Sequence, residues 1–168
     1  MIMPKGLRAM AAAIAPIALA SAALVTASGT AAQSTPTPPP GCTGPASQTW
    51  LNITADGLKN GDGLLAVTLY ADNPSKFLVK RGSLYVTRVN ATAGTTRACI
   101  FVPKPGVYAI ALYHDENANQ SFDRTGVGFP AEGFGFSNNP ATLAGLPAFK
   151  SVRLNVPKAG LTTRISMK

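Results

Sequence analysis

The sequence predicts an all-β fold: an antiparallel immunoglobulin-like or transthyretin-like β-sandwich of about seven strands with one long loop. Three observations predict it. Apolar residues recur in strand-length runs with a period close to two. Turn signals rich in Gly, Pro and Asn separate these runs. No segment of the predicted domain carries a helical period of useful length.

The chain has 168 residues and begins with a leader pattern. Lys5 and Arg8 give a positive start. Ala9 to Val25 are small and apolar, and Thr26 to Ala32 are small. Positive start, apolar middle and small-residue end are the three parts of a secretory signal. Residues 1–32 are therefore expected to be a signal peptide cut after Ala32, with a cut after Ala27 as the alternative. A retained membrane anchor is the weaker reading, because the run is Ala-rich and interrupted by Pro16. Residues 33–47 contain the run QSTPTPPP and are expected to be an extended Pro-rich linker. Residues 48–168 are then the β-sandwich domain, long enough to bury a core.

Within that domain the first strand lies around Trp50–Thr54, where apolar and polar residues alternate. Leu64–Tyr70 is an apolar run between Gly63 and the breaker Asp72-Asn73-Pro74. Leu84–Val89 is a third strand, less regular. Arg97–Val102 and Val107–Tyr113 are two more, joined by the turn Pro103-Lys104-Pro105-Gly106. Tyr108, just inside the strand after that turn, fits either a tyrosine corner or an ordinary core tyrosine. Ala148–Val156 and Leu161–Met167 complete the set across Pro157–Gly160.

Charge and cysteines narrow the function classes. The net charge is +8, but no run of five basic residues exists. A nucleic-acid footprint would cluster, so nucleic acid is not an expected partner. An envelope protein or glycan remains a partner of suitable kind, and no membrane span is expected after cleavage. The two cysteines, Cys42 and Cys99, are expected to pair as a disulfide in an oxidising compartment. The expected location is outside the cytoplasm, periplasmic or secreted.

Residues 114–140 depart from the strand pattern. Connections of this length are uncommon in small domains and are often functional. The stretch holds His114, the only histidine, and four of the seven acidic residues: Asp115, Glu116, Asp123 and Glu132. Asp115, Asn117, Asn119, Ser121 and Asp123 place oxygen-bearing groups at alternate positions. They match the first, third, fifth, seventh and ninth places of an EF-hand-type loop, so Ca²⁺, a hard cation wanting oxygen ligands, is the cofactor to expect. The sixth place, usually Gly, is Gln120. The twelfth, usually a bidentate Glu, is Gly126. The competing reading is an Asx-rich turn whose side chains bond their own backbone. His114 beside Asp115 suggests acid–base chemistry, although a structural histidine is the plainer reading. Phe129, Phe134 and Phe136 alternate with glycines. They are expected either to pack as a lid over an open end of the sandwich or to form, with His114 and Glu132, a surface for a small ligand.

The run GVYAIALYHDENANQSFDRTGVGFPAEGFGFSNN resembles the signature of a bacterial exported family of unknown function, family 2141. The matching residues are Gly106, Tyr108, Ala109, His114, Asp115, Glu116, Asn117 and Asn119, then Gly128, Pro130, Glu132, Gly133, Gly135, Phe136, Ser137 and Asn138. The likeness runs from about Trp50 to the C-terminus. It implies an exported β-sandwich and no known activity. The expected function is thus a non-enzymatic exported sandwich that binds Ca²⁺ or a small ligand through the 114–139 loop. The alternatives are a purely structural envelope domain and, last, an enzyme using His114 and nearby carboxylates.

Overall fold

A computed structural model describes residues 37–142 and 146–168. The expected signal peptide and cleavage site lie outside the described residues, as does the start of the expected Pro-rich linker. Among the described residues nine strands form in chain order: β1 (Cys42–Thr43), β2 (Thr49–Leu58), β3 (Leu64–Ala71), β4 (Tyr85–Asn90), β5 (Gly94–Val102), β6 (Gly106–Asp115), β7 (Phe134–Phe136), β8 (Arg153–Val156) and β9 (Leu161–Ser166). They make two sheets. One has the order β1-β5-β2-β9; the other runs β4-β3-β6, with β7 and β8 both on β6.

The β2, β3, β5, β6 and β9 strands fall where the period of two places them. Their inward residues interdigitate between the sheets. Leu51, Ile53, Ile100 and Ile165 from one sheet meet Leu65, Val67, Leu69, Ile110 and Leu112 from the other, all essentially inaccessible to solvent. Burying each such side chain stabilises the fold by about 1.5–3 kcal/mol. Among the described residues the only helical pieces are a 3₁₀ turn at Pro74–Lys76 and one helical turn at Phe149–Val152. No helix among them is long and apolar enough to cross a membrane.

The strand order settles finer points. Here β2 and β3 lie in opposite sheets, and β2 pairs in parallel with the last strand, β9. The strand expected over Ala148–Val156 is shorter: its first half is the helical turn at Phe149–Val152, and only β8 pairs with β6. Two elements were not expected. β1 lies within the stretch read as linker, held parallel to β5 with Cys42 opposite Cys99. Those two cysteines form the disulfide. β7 lies within the long loop and pairs with the second half of β6.

Tyr108 adopts the corner geometry. It is buried in the core, and its hydroxyl donates to the Lys104 carbonyl at 2.8 Å, tying β6 back to the turn before it. Tyr85 of β4 donates its hydroxyl to the Phe101 carbonyl of β5 in the other sheet. Burial, with Tyr108 nearby, pushes its phenol up to about 12.

Candidate functional site

The loop begins two residues later than the sequence suggests, because β6 runs on through His114 and Asp115. Their strand neighbours are Leu65 and Leu64 of β3. Gly63, just before β3, has φ +63, and a Cβ there would sit 2.0 Å from the Asp115 carbonyl oxygen. The missing side chain lets the two chains cross at this point. It brings the turn at residues 60–62 against the end of β6.

This close approach engages His114. The ring is buried, and its Nε2 donates to the Asp62 carbonyl at 2.8 Å. The His114 backbone N–H donates to the Gly133 carbonyl, also at 2.8 Å. Asn60 reaches across to donate to a Glu116 carboxylate oxygen at 2.9 Å. His114 therefore joins three chain segments and does not line an open cleft.

Asp115 is wholly buried and organises the turn that follows. Its two carboxylate oxygens accept the backbone N–H groups of Asn119 at 2.9 Å and Gln120 at 2.8 Å. The chain winds tightly enough that Ala118 and Gln120 take left-handed conformations, with φ 55 and 65. Gln120 occupies the place where a glycine is usual in such loops, and the sign of its φ is the reason.

The remaining loop side chains turn toward one another. Asn117 and Asn119 each donate an amide N–H to the same Asp123 carboxylate oxygen at 2.8 Å. The Asn117 and Asn119 amide oxygens accept the backbone N–H groups of Asn119 and Ser121. Asp115, Asn117, Asn119 and Asp123 thus form one network. Ser121 joins it through its backbone.

Glu132 closes the network from the far side. It is buried, and one oxygen accepts the Asp123 backbone N–H at 3.0 Å. Its other oxygen, Oε1, is buried without a hydrogen-bond partner. Burial pushes the Glu132 carboxyl above the ordinary range, and the charges of Asp123 and Asp115 push it the same way. The backbone N–H groups of Asp123 and, more weakly, Glu116 oppose these effects. Among the described residues no three acidic, histidine or cysteine side chains already surround one point as a metal cage. The network instead pairs carboxylates with amide groups, whose N–H groups face Asp123 and whose oxygens face the backbone N–H groups of Asn119 and Ser121.

Between Asp123 and Glu132 the chain makes a small hairpin. Thr125 and Gly128 form its turn, and Ala131 donates back to the Asp123 carbonyl at 3.0 Å. Phe129, at its tip, is 63% exposed. The three glycine-flanked phenylalanines therefore separate. Phe134 and Phe136 lie in β7 on the outer face of the five-stranded sheet, where they pack edge to face with each other. They cover that face and not an end of the sandwich.

Several participants carry no sequence signal of their own. Asp62 and Asn60 are polar residues in an ordinary turn. Arg88, which donates to the Gln120 carbonyl at 3.2 Å, is one basic residue among many. Their roles come from the Gly63 crossing and from the β3–β4 register.

The profile of a family described as an uncharacterized protein conserved in bacteria, DUF2141, matches residues 53–164. The match spans both sheets and the whole loop. No curated protein and no solved structure matches the chain.

Proposed function

This chain belongs to the DUF2141 family of bacterial proteins, and we propose that it is an exported, non-enzymatic β-sandwich whose 115–132 loop binds Ca²⁺. The observation that carries this reading is the buried, unpartnered Oε1 of Glu132. An unpaired carboxylate oxygen held away from water is costly, and a cation is the natural remedy. Asp123 bonds through its backbone to the other Glu132 oxygen and collects the amides of Asn117 and Asn119. A carbonyl or carboxylate oxygen that accepts one N–H keeps a second lone pair. Asp115, Asn117 and Asn119 would therefore supply ligands without giving up the turn. Glu132 stands in for the bidentate glutamate absent from the twelfth place. Export rests on the leader pattern of residues 1–32 and on the disulfide, which belongs in an oxidising compartment.

A second reading has its own support. Both Asp115 oxygens are already used by backbone N–H groups, as they would be in a loop that only caps the sandwich. A melting experiment separates the two. The purified protein in chelator is titrated with Ca²⁺ or, as a control, Mg²⁺. Binding to the folded state alone raises stability by about 2.7 kcal/mol at a hundred times the dissociation constant. Millimolar Ca²⁺ is expected to raise the melting temperature by several degrees, with Asp123→Asn abolishing the rise. No shift at millimolar Ca²⁺ would leave the capping role.

A further inference from the structure

The five-stranded sheet has a second apolar face. Leu65, Val67 and Leu69 point into the core between the sheets, so Ala66, Thr68 and Tyr70 point outward. On β6 the outward residues are Ala109, Ala111 and Tyr113. The register sets them in rows across the sheet: Thr68 opposes Ala111, which opposes Phe136, and Ala66 opposes Tyr113, which opposes Phe134. Small side chains thus occupy the middle of the sheet, and aromatic rings stand beside them. The result is a hollow of about 800 Å³ with Thr68 and Ala111 among its floor residues. One end is closed by the 77–82 turn, in which Leu78 takes the left-handed φ of 55 and, with Val79, stays partly exposed. The other end is closed by the segment from Gln120 to Arg124.

We propose that this hollow binds a small amphipathic anion: an apolar or aromatic body with a single carboxylate- or sulfonate-type head. The volume falls in the range of small-molecule sites, and the lining has their character, mostly apolar with few polar groups. The charges give the sign of the head group. Lys80 and Arg124 both line the hollow, and among the described residues no acidic one does. Neither cation has an ion-pair partner among the described residues, where the salt bridges are Arg153–Asp72 and Arg164–Asp56. Arg124 is held in place, its guanidinium 5.2 Å from the centre of the Phe122 ring and donating to the Gly128 carbonyl at 2.9 Å. An apolar body would lie against Phe134 and Tyr113 over the small floor, with its head at Arg124, the cation held in place, while Lys80 adds positive charge from the opposite end. This site borders the cation loop, whose 120–124 segment closes one of its ends, and takes a ligand of opposite charge.

The test titrates the purified protein with anilinonaphthalene sulfonate, a fluorescent probe with this chemistry. Decanoate and decanol serve as competitors. Saturable one-to-one binding is expected, displaced by decanoate at least ten times more readily than by decanol. Ala111→Leu fills the floor and is expected to weaken binding at least tenfold with an unchanged melting temperature. The surface pair Lys80→Gln and Arg124→Gln is expected to weaken the probe by about tenfold, and it keeps the test valid if Ala111→Leu fails to fold. The proposal falls if folded Ala111→Leu binds the probe undiminished, or if both charge variants leave affinity unchanged. It falls also if decanol competes as well as decanoate. Self-association that buries the hollow before any ligand is added would assign this face to a second copy of the chain and overturn it as well.

Discussion

Glu132 accepts the backbone N–H of Asp123 at 3.0 Å with one carboxylate oxygen and buries the other without a partner. The two residues are nine positions apart, at opposite ends of the small hairpin. Through this bond the hairpin is anchored to the network that starts at Asp115. One half of the carboxylate is structural.

The protonation of Glu132 makes the first prediction. Its folded pKa is raised above the ordinary value of 4.5, so the folded state holds this proton more tightly than the unfolded chain does. The stability it contributes is full below 4.5 and is lost as pH rises through the folded value. In chelator, Glu132→Gln should therefore match the wild type in acid and exceed it at neutral pH, by about 1 kcal/mol. Urea unfolding across pH 4 to 8 measures the crossover. With Ca²⁺ present at neutral pH the order should reverse, because only the wild type gains from the metal.

Gly63 makes the second. Its positive φ and the nearness of the Asp115 and Glu116 backbone leave no space for a side chain. Gly63→Ala should destabilise the protein by about 3 kcal/mol, from overpacking and backbone strain together. The damage should centre on the crossing. Loss of the His114–Asp62 hydrogen bond, followed by the imidazole resonances, is the local signature. A variant that melts like the wild type would show that the strands can separate here at little cost.

The third concerns Cys42 and Cys99. Their bond closes a loop with a sequence separation of 57 and holds the two-residue strand β1 on the sheet edge. In the chain-entropy model such a link stabilises by about 4 kcal/mol. Replacing both cysteines by Ser should lower the urea midpoint accordingly. β1 should lose its amide protection before any other strand, because two residues cannot hold an edge by themselves. The Ca²⁺ response should survive, since the loop lies at the end of β6 and not on β1.

Much of the fold was legible in the sequence because burial enforces a period of two. Leu65, Val67 and Leu69 had to share a face, and so did Tyr108, Ile110 and Leu112. The runs Leu64–Tyr70 and Val107–Tyr113 also carried a signal left unused: they are apolar at nearly every position, as strands covered on both faces are. That continuity announces the second apolar face. The β7 strand was hidden because Phe134-Gly135-Phe136 is too short to show alternation. The helical turn at Phe149–Val152 was hidden because its residues suit a strand equally well.

For the loop, the sequence by itself determined the chemistry of the donors: Asp115, Asn117, Asn119 and Asp123 at alternate places, with Glu132 following. It also made a Cys42–Cys99 disulfide the expected pairing, which the structure contains. What tertiary structure decided is who stands next to whom. A side chain's polarity is written in one residue, so composition and spacing convey it. Proximity across a sandwich depends on register and on close approaches such as that at Gly63, and these arise only when distant strands pack. That packing seals His114 against Asp62, leaves one Glu132 oxygen without a partner, and parts Phe129 from Phe134 and Phe136.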